Sequence, residues 1–401
     1  MAAPDDTATT PLPPIVRRLG WISFFADAAS EMLYPLIPLF LTVTLGAPAT
    51  VVGLVEGLAD GVATGLRAIA GYVTDRLHNN RLLVVAGYTV SSIAKPLLAL
   101  APGWGVVALL RVTDRFGKAF RGIPRDVMLT DAVPPEQRGH AFGYHRAMDT
   151  AGAVVGPLVA AAALLIVGQE QLRPVFLLAL IPGLATIGLV FGLPKSTRPS
   201  GAQRWEDAPL PWRGTYGTLV IALVVFGLGN SSDAFLLLRA HNLGLGEIEV
   251  ILAYAFYNVV YAALSNPIGR RSDRTGRLPI FRVGLVVFAL VYVGFALAPG
   301  GWAVWPLLAV YGVYMALTDG IGKALVVDLV PATVRGKALG YSQALNGAAV
   351  LVAGIVAGEL WDHVSPAAPF FVGGVMAALA VAVLFAVRTP RAPRATTPAP
   401  T

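Results

Sequence analysis

Two stretches decide how this chain folds: GYVTDRLHNNR at 71–81 and GRRSDRTGR at 269–277. Each places a Gly four residues before an Asp-Arg pair, with more Arg close behind. The two copies lie 198 residues apart, and the correspondence spreads outward from them. Leu45-Gly46 falls on Leu243-Gly244, and Asp60 falls on Asn258. Further on, Thr113-Asp114-x-x-Gly117-Lys118-Ala119 matches Thr318-Asp319-x-x-Gly322-Lys323-Ala324. Asp131-x-Val-Pro134 and Arg138-Gly139-x-x-x-Gly143-Tyr144 match Asp328-x-Val-Pro331 and Arg335-Gly336-x-x-x-Gly340-Tyr341. The chain is therefore read as two copies of one unit.

The unit is a membrane unit. Of 401 residues, 56% are hydrophobic and only 13% are charged, with mean hydropathy +0.67. A soluble domain carries about 25% charged residues. Half that amount cannot cover the surface of a soluble globule, so an ordinary cytosolic enzyme is excluded. Disorder and collagen are excluded too, because 43 Gly and 30 Pro sit among long apolar runs without a G-X-Y period. A helical span needs about 20 mostly apolar residues. Twelve segments meet that need: 19–45, 50–73, 81–101, 103–122, 139–167, 173–193, 214–240, 247–268, 278–298, 302–326, 337–358 and 367–387. The expected fold is all-α, with twelve transmembrane helices in two six-helix bundles.

An even number of spans puts both termini on one side, and loop charge says which. The even-numbered loops collect Arg76, Arg81, Arg125, Arg138, Lys195, Arg204, Arg213, Arg270, Arg271, Arg274, Arg277, Arg335 and Lys337. The odd-numbered loops hold little beyond Arg173. Positive charge stays in the cytoplasm, so both termini are predicted there. That placement also accounts for the net charge of +7 without a nucleic-acid partner. The predicted layout is a polar, Pro-rich tail at 1–18, a first bundle at 19–194, a cytoplasmic linker at 195–213, a second bundle at 214–387 and a disordered tail at 388–401. The first residues lack the basic region and cleavage site of a secretory signal. With 0 Cys there is no disulfide or thiolate metal site to expect, and no cofactor is expected.

The membrane-depth charges are unevenly placed. The first half carries Asp27, Glu31, Glu56, Asp60, Arg67, Lys95, Arg111, Asp114, Arg115, Lys118, His145, Arg146 and Asp149 within its apolar segments. Repeat positions in the second half are mostly neutral: Glu56 becomes Tyr254, Arg111 becomes Ala316, and His145-Arg146 becomes Ser342-Gln343. Asp233, Arg239, Asp319 and Lys323 remain there. A charge at this depth costs several kcal/mol facing lipid, so these groups are expected to line a watery cavity or to pair. Packing alone would load both copies alike, so the first half is expected to carry ion coupling. An acid beside cations in such a cavity can gain and lose a proton as the cavity opens and closes. Asp27 and Asp149, set against Arg111, Arg115 or Arg146, are the leading proton carriers. Glu31, Asp114 and His145 follow. Arg111, Arg115, Lys118, Arg146, Glu56 and Asp60 are the expected substrate-cavity groups. Acids and cations balance there, so the charges leave the substrate's sign open.

The paired loops, with Gly71, Asp75, Arg76 and Arg81 in one copy and Gly269, Asp273 and Arg274 in the other, resemble the loop signature of the major facilitator superfamily. In that family the Asp latches the two bundles on the cytoplasmic side. The resemblance implies that Asp75 faces the start of the eleventh helix near Gly336. In the fifth span, Gly143-x8-Gly152-x3-Gly156-Pro157 resembles the family's antiporter signature, with Ala160-Ala161 in place of its last two glycines. The small residues permit close helix contact and the Pro bends the helix. Arg111-x5-Gly117 resembles a fourth-helix motif tied to proton transfer, although Asp114 and Arg115 depart from it. The segment Asp27-Ala-Ala-Ser-Glu31-Met-Leu-Tyr-Pro35-x-x-Pro38 is similar to the drug-exporter branch.

The resemblance implies rocker-switch alternating access and proton-coupled export of a small molecule. It implies a multi-pass protein of a bacterial-type cytoplasmic membrane, working as a monomer on a small-molecule substrate and protons. Proton-coupled uptake of an organic anion stays open, with Arg111, Arg115, Lys118 and Arg146 as the clamp. Metal export fits poorly with 5 His and no Cys. A non-transporting sensor would not need two matched loops. No phosphate-cradling Gly loop or catalytic triad order points to an enzyme.

Overall fold

The computed structural model describes residues 12–77, 80–134, 137–194, 209–331 and 334–387, apart from the side chains at 65, 67–77, 139 and 273. Its long helices are α1 (Pro14–Thr44), α2 (Ala49–Leu77), α3 (Asn80–Leu100), α4 (Trp104–Asp131), α5 (Arg138–Val167) and α6 (Leu172–Phe191). A second series follows: α7 (Thr215–Asn242), α8 (Glu247–Thr275), α9 (Arg277–Leu297), α10 (Gly301–Asp328), α11 (Arg335–His363) and α12 (Ala368–Phe385). Among the described residues, 10 helices are long and apolar enough to cross a membrane. The two that fall short are α2 and α4. At 29 and 28 residues they are long enough, but each carries several charges.

The repeat is visible in the packing. In the first series α1 lies against α5 and α6, α4 against α2 and α3, and α3 against α6. The second series repeats every one of these pairs: α7 with α11 and α12, α10 with α8 and α9, and α9 with α12. The two series join along two equivalent seams, α2 with α11 and α5 with α8. Local breaks repeat as well. α1 is interrupted at Tyr34–Pro35, where Pro35 lacks an N–H, and α7 is interrupted at Asn230–Ser232. Tyr34 and Ser232 are repeat equivalents, and their hydroxyls lie 3.4 Å apart across the interface. The matched Leu-Gly pairs are also explained. Gly46 and Gly244 both sit at positive φ, 65° and 102°, where each closes the first helix of its half.

Several predicted loop charges lie instead on helix ends. α4 runs to Asp131 rather than 122, so Arg125 and Asp126 are helical and ion-paired at 2.9 Å. α8 runs to Thr275, which places Arg270, Arg271 and Arg274 on its last turns. An isolated helix need not stop where its apolar run stops, because water satisfies the polar end. The surface is inverted relative to a soluble protein: Ile166 is 85% exposed, and Leu165, Leu290 and Phe385 stand out beside other apolar groups. Several charges lie inside instead, among them Glu56, Lys95, Arg111 and Asp114.

Candidate functional site

Ion pairs hold the inside of the first half together. Arg111 on α4 meets Glu56 on α2 side-on, Nε to Oε1 at 3.0 Å and Nη2 to Oε2 at 2.5 Å. The two residues are 5% and 1% exposed. One turn further, Arg115 reaches Asp60 at 3.4 Å. Asp114 turns the other way, toward α3. It accepts from Ser91 Oγ at 2.5 Å and from Lys95 Nζ at 2.9 Å. The Arg121 guanidinium stacks on Tyr88 at 4.0 Å. The sequence grouping of Arg111 and Arg115 with Asp27 or Asp149 is therefore corrected: each arginine meets its own acid on α2. The spacing of four residues in both Glu56/Asp60 and Arg111/Arg115 makes two rungs of one ladder. A charge deprived of water is stable only with such a partner. Lys118, half-buried, has no acid within ion-pair distance among the described residues.

A second group joins the halves across the α5–α8 seam. Asp27 on α1 and Asp149 on α5 line one cavity of about 220 Å³ with Asn258 and Tyr261 of α8. Both carboxyl groups face that cavity. Ser23 Oγ donates to Asp149, and Arg146 stands 3.6 Å from its other oxygen. Arg146 also donates to the Tyr261 hydroxyl at 3.2 Å, and Tyr261 donates to Asp319 of α10 at 2.9 Å. Lys323 completes the line at 3.0 Å from Asp319. One polar chain thus runs from an acid pair in the first half to an acid in the second. His145 is buried beside this chain in sequence, but among the described residues its Nε2 has no hydrogen-bond partner.

The second half answers with tyrosine. Tyr254 donates to Glu31 at 2.6 Å across the interface. Asp233, at the restart of α7, accepts from Tyr311 at 2.6 Å and Tyr257 at 3.1 Å. The rings touch in series, with centroids 5.5 Å apart for Tyr34–Tyr254, 5.3 Å for Tyr254–Tyr257 and 5.5 Å for Tyr257–Tyr311. Sequence reasoning passed over these tyrosines. The signal was their spacing at 254, 257 and 261, one face of α8. Arg239, expected among the membrane-depth charges, bonds the Phe295 and Ala296 carbonyls and Asn242, and so secures the end of α9.

The small residues divide into two kinds. A Cβ on Gly152 would stand 2.3 Å from the Phe24 carbonyl, and one on Gly156 would stand 2.4 Å from that of Ala28. These two glycines, with Pro157 buried beside them, let α5 run flush against α1. Gly143 and Gly269 face open space, so neither makes the close approach expected of it. The side chains of Gly71, Asp75, Arg76 and Asp273 lie outside the described residues. Of the remaining loop groups, Arg81 donates to the Phe191 carbonyl at 2.8 Å, and Arg274 is exposed. The tightest seam is α2 with α11: a Cβ on Gly53 would stand 1.9 Å from the Gly354 carbonyl. At the end of that seam the Asp362 carboxylate accepts from the Ala49 and Thr50 amides, at 3.0 and 2.8 Å. The last turn of α11 thereby caps the first turn of α2.

Comparison with known proteins places this architecture. The sequence profile of the Major Facilitator Superfamily matches residues 19–238 and 218–401. An uncharacterised MFS-type transporter of Methanocaldococcus jannaschii is 33% identical over 371 residues, covering 90% of this chain and 92% of that protein. Multidrug resistance protein MdtH of Cronobacter sakazakii is 25% identical over 323 residues, 78% of each chain. A crystal structure of a mutant nucleoside transporter NupG superposes with TM-score 0.77 at 16% identity, covering 93% of this chain and 98% of that one.

Proposed function

This chain belongs to the Major Facilitator Superfamily, a family of transporters and not of enzymes, and we propose that it is a proton-coupled exporter of a small molecule. It is an integral, multi-pass membrane protein. In this proposal α2 and α4 cross the membrane with the other ten helices, since Glu56 and Asp60 of α2 are paired with Arg111 and Arg115 of α4, and Asp114 of α4 with Lys95. Twelve spans make two six-helix bundles, at 19–194 and 214–387, with both termini and the linker on the cytoplasmic side of a bacterial-type inner membrane. The protein works as a monomer.

The observation that carries the coupling is the line Asp27–Asp149–Arg146–Tyr261–Asp319. Two carboxyl groups sharing one small cavity cannot both be charged without cost, so the pair is suited to hold one exchangeable proton. Arg146 reads that proton. It faces Asp149 within its own half and bonds Tyr261 in the other half. A change of charge on the pair changes how firmly Arg146 is held, and so biases the seam between two arrangements. Asp75, through the family resemblance, is the latch that holds the cytoplasmic side in the opposite state. The halves meet at the end carrying residues 45–48 and 364–367, while a cavity of about 420 Å³ reaches Gly269, Ser272 and Arg277 at the other end. With cytoplasmic termini, we read this as an inward-open conformation.

Three points favour export over uptake of an organic anion. The Gly152–Gly156 seam is built as the antiporter signature requires. MdtH is a multidrug resistance protein. Three of the four groups of the proposed anion clamp are occupied, because Arg111, Arg115 and Arg146 each face an acid and only Lys118 is left without one among the described residues. The test is transport in inside-out and right-side-out vesicles with an imposed pH gradient, screened over cations and anions. Export driven by inward proton flow, abolished by Asp27→Asn or Asp149→Asn in a folded protein, is expected. Undiminished gradient-driven transport in both variants overturns the coupling site.

A further inference from the structure

The central cavity, about 340 Å³, lies mainly within the second half. Its walls include Phe226, Phe281, Tyr311 and Tyr314, and Asp233 is in the same wall. The only cation among the described lining residues is Lys323, which is held at 3.0 Å by Asp319. Those two cancel. What remains is one carboxyl group, that of Asp233, inside an aromatic box.

The Asp233 carboxylate is held by two hydroxyls and by no cation: Tyr311 and Tyr257 donate, and no Lys, Arg or His nitrogen lies within 4.0 Å of it among the described residues. Its charged neighbours further off include Asp60 and Glu31, both acids. Among the described residues Glu31 likewise has only the Tyr254 hydroxyl within hydrogen-bond distance. Glu56, Asp60, Asp114, Asp149 and Asp319 are each matched to a cation, so Asp233 and Glu31 mark a place where the cation comes from outside. Tyrosine and phenylalanine faces attract a cation through the ring quadrupole, most strongly once water is removed. An anion here would meet an acid and the negative faces of four rings.

From this geometry we infer that the cavity is a binding site for an organic cation, an ammonium or quaternary ammonium group carried on an apolar body, with Asp233 as its counter-ion. This inference rests on the transporter reading above and names the substrate class. The apolar body has its place against Phe226, Phe281 and Leu223.

The test uses the purified full chain and three probes of similar size: phenyltrimethylammonium, its neutral isostere tert-butylbenzene, and benzenesulfonate. Binding is read by calorimetry in detergent without any pH gradient. The cation is expected to bind at least about tenfold tighter than the neutral isostere, with no binding of the sulfonate. Asp233→Asn should lose about tenfold for the cation and leave the neutral probe unchanged. Asp233→Glu should recover much of the loss, which separates a counter-ion from a folding role. Tyr311→Phe keeps the ring and removes one hydroxyl from Asp233, so cation affinity should be kept or raised. Equal affinity for the cation and its isostere, or an Asp233→Asn protein that binds the cation as well as the wild type, overturns the inference. The coupling proposal fails separately. Cation binding intact in Asp27→Asn, with gradient-driven transport also intact, sinks the coupling site and leaves this one standing.

Discussion

Removing Glu56 tests whether the ladder between α2 and α4 is scaffold. Glu56 is 1% exposed and both its oxygens are taken by Arg111. In Glu56→Ala the guanidinium keeps its charge and loses both acceptors. Stranding one member of a buried pair costs about 3–5 kcal/mol. The Tyr34 ring, 5.7 Å from the Arg111 guanidinium, offsets at most about 1 kcal/mol of that. The expected loss is therefore about 2–5 kcal/mol, a large part of the roughly 5–15 kcal/mol that holds a typical protein folded. Glu56→Gln keeps an acceptor and should lose less. The companion variant replaces the pair together, Glu56→Leu with Arg111→Met. No charge is then stranded, and stability should return to within about 1–2 kcal/mol of the wild type. Denaturant titration in mixed micelles measures all three. The double variant also separates roles: if the pair is scaffold, gradient-driven transport survives in it. The reasoning is refuted if Glu56→Ala unfolds at the wild-type midpoint, or if the double variant is less stable than the single one.

Other perturbations follow from the seams. Asp362→Ala removes the acceptor of the Ala49 and Thr50 amides, a loss of about 1–2 kcal/mol at that end of the α2–α11 contact. That end should then open more often. A single Cys placed there should label faster, and since the chain has no Cys of its own the reading carries no background. Gly53→Val should be worse, because a Cβ would already overlap the Gly354 carbonyl; loss of folded protein, or labelling fixed in one state, is expected. Tyr261→Phe cuts the link between Arg146 and Asp319 while leaving the ring in place. It should bind substrate normally and lose the dependence of transport on the pH gradient; an unchanged gradient dependence would show that the hydroxyl plays no part.

The two-part architecture was legible because the repeat runs through the whole chain, and the α1/α7 breaks at Tyr34 and Ser232 fall on equivalent positions. Which charges belong to a cavity was less legible. Asp27, Asp149 and Arg146 do converge, yet Arg111 and Arg115, equally charged and equally deep, are spent on Glu56 and Asp60. Periodicity gives the face of a helix that a residue occupies, not the neighbour against which that face is turned. Asp114 shows this most plainly: it lies one position from Arg115 and points to Lys95 on the opposite neighbour. Tyrosine went unnoticed for a different reason. Its hydroxyl is neutral, so a search for charge passes over the residues that hold Glu31, Asp233 and Asp319.

The asymmetry between the halves now has a physical sense. Where the first half places an acid at 56, the second places Tyr254, and that tyrosine reaches back to Glu31 in the first half. Tyr261 makes the same crossing in the other direction, since Arg146 of the first half donates to it. A hydroxyl is suited to such a post. It can give a hydrogen bond to an acid or take one from a guanidinium, and it pays a modest cost when the bond is broken. An ion pair across the seam would cost far more to break, and in the proposed alternating-access cycle the two halves must part each time. The strong pairs, Glu56–Arg111 and Lys95–Asp114, lie within one half and so can persist throughout. Among the described residues, the polar contacts between halves are made by hydroxyls and one helix cap. Strength inside each bundle and weakness between them are what a rocking pair of rigid bodies requires.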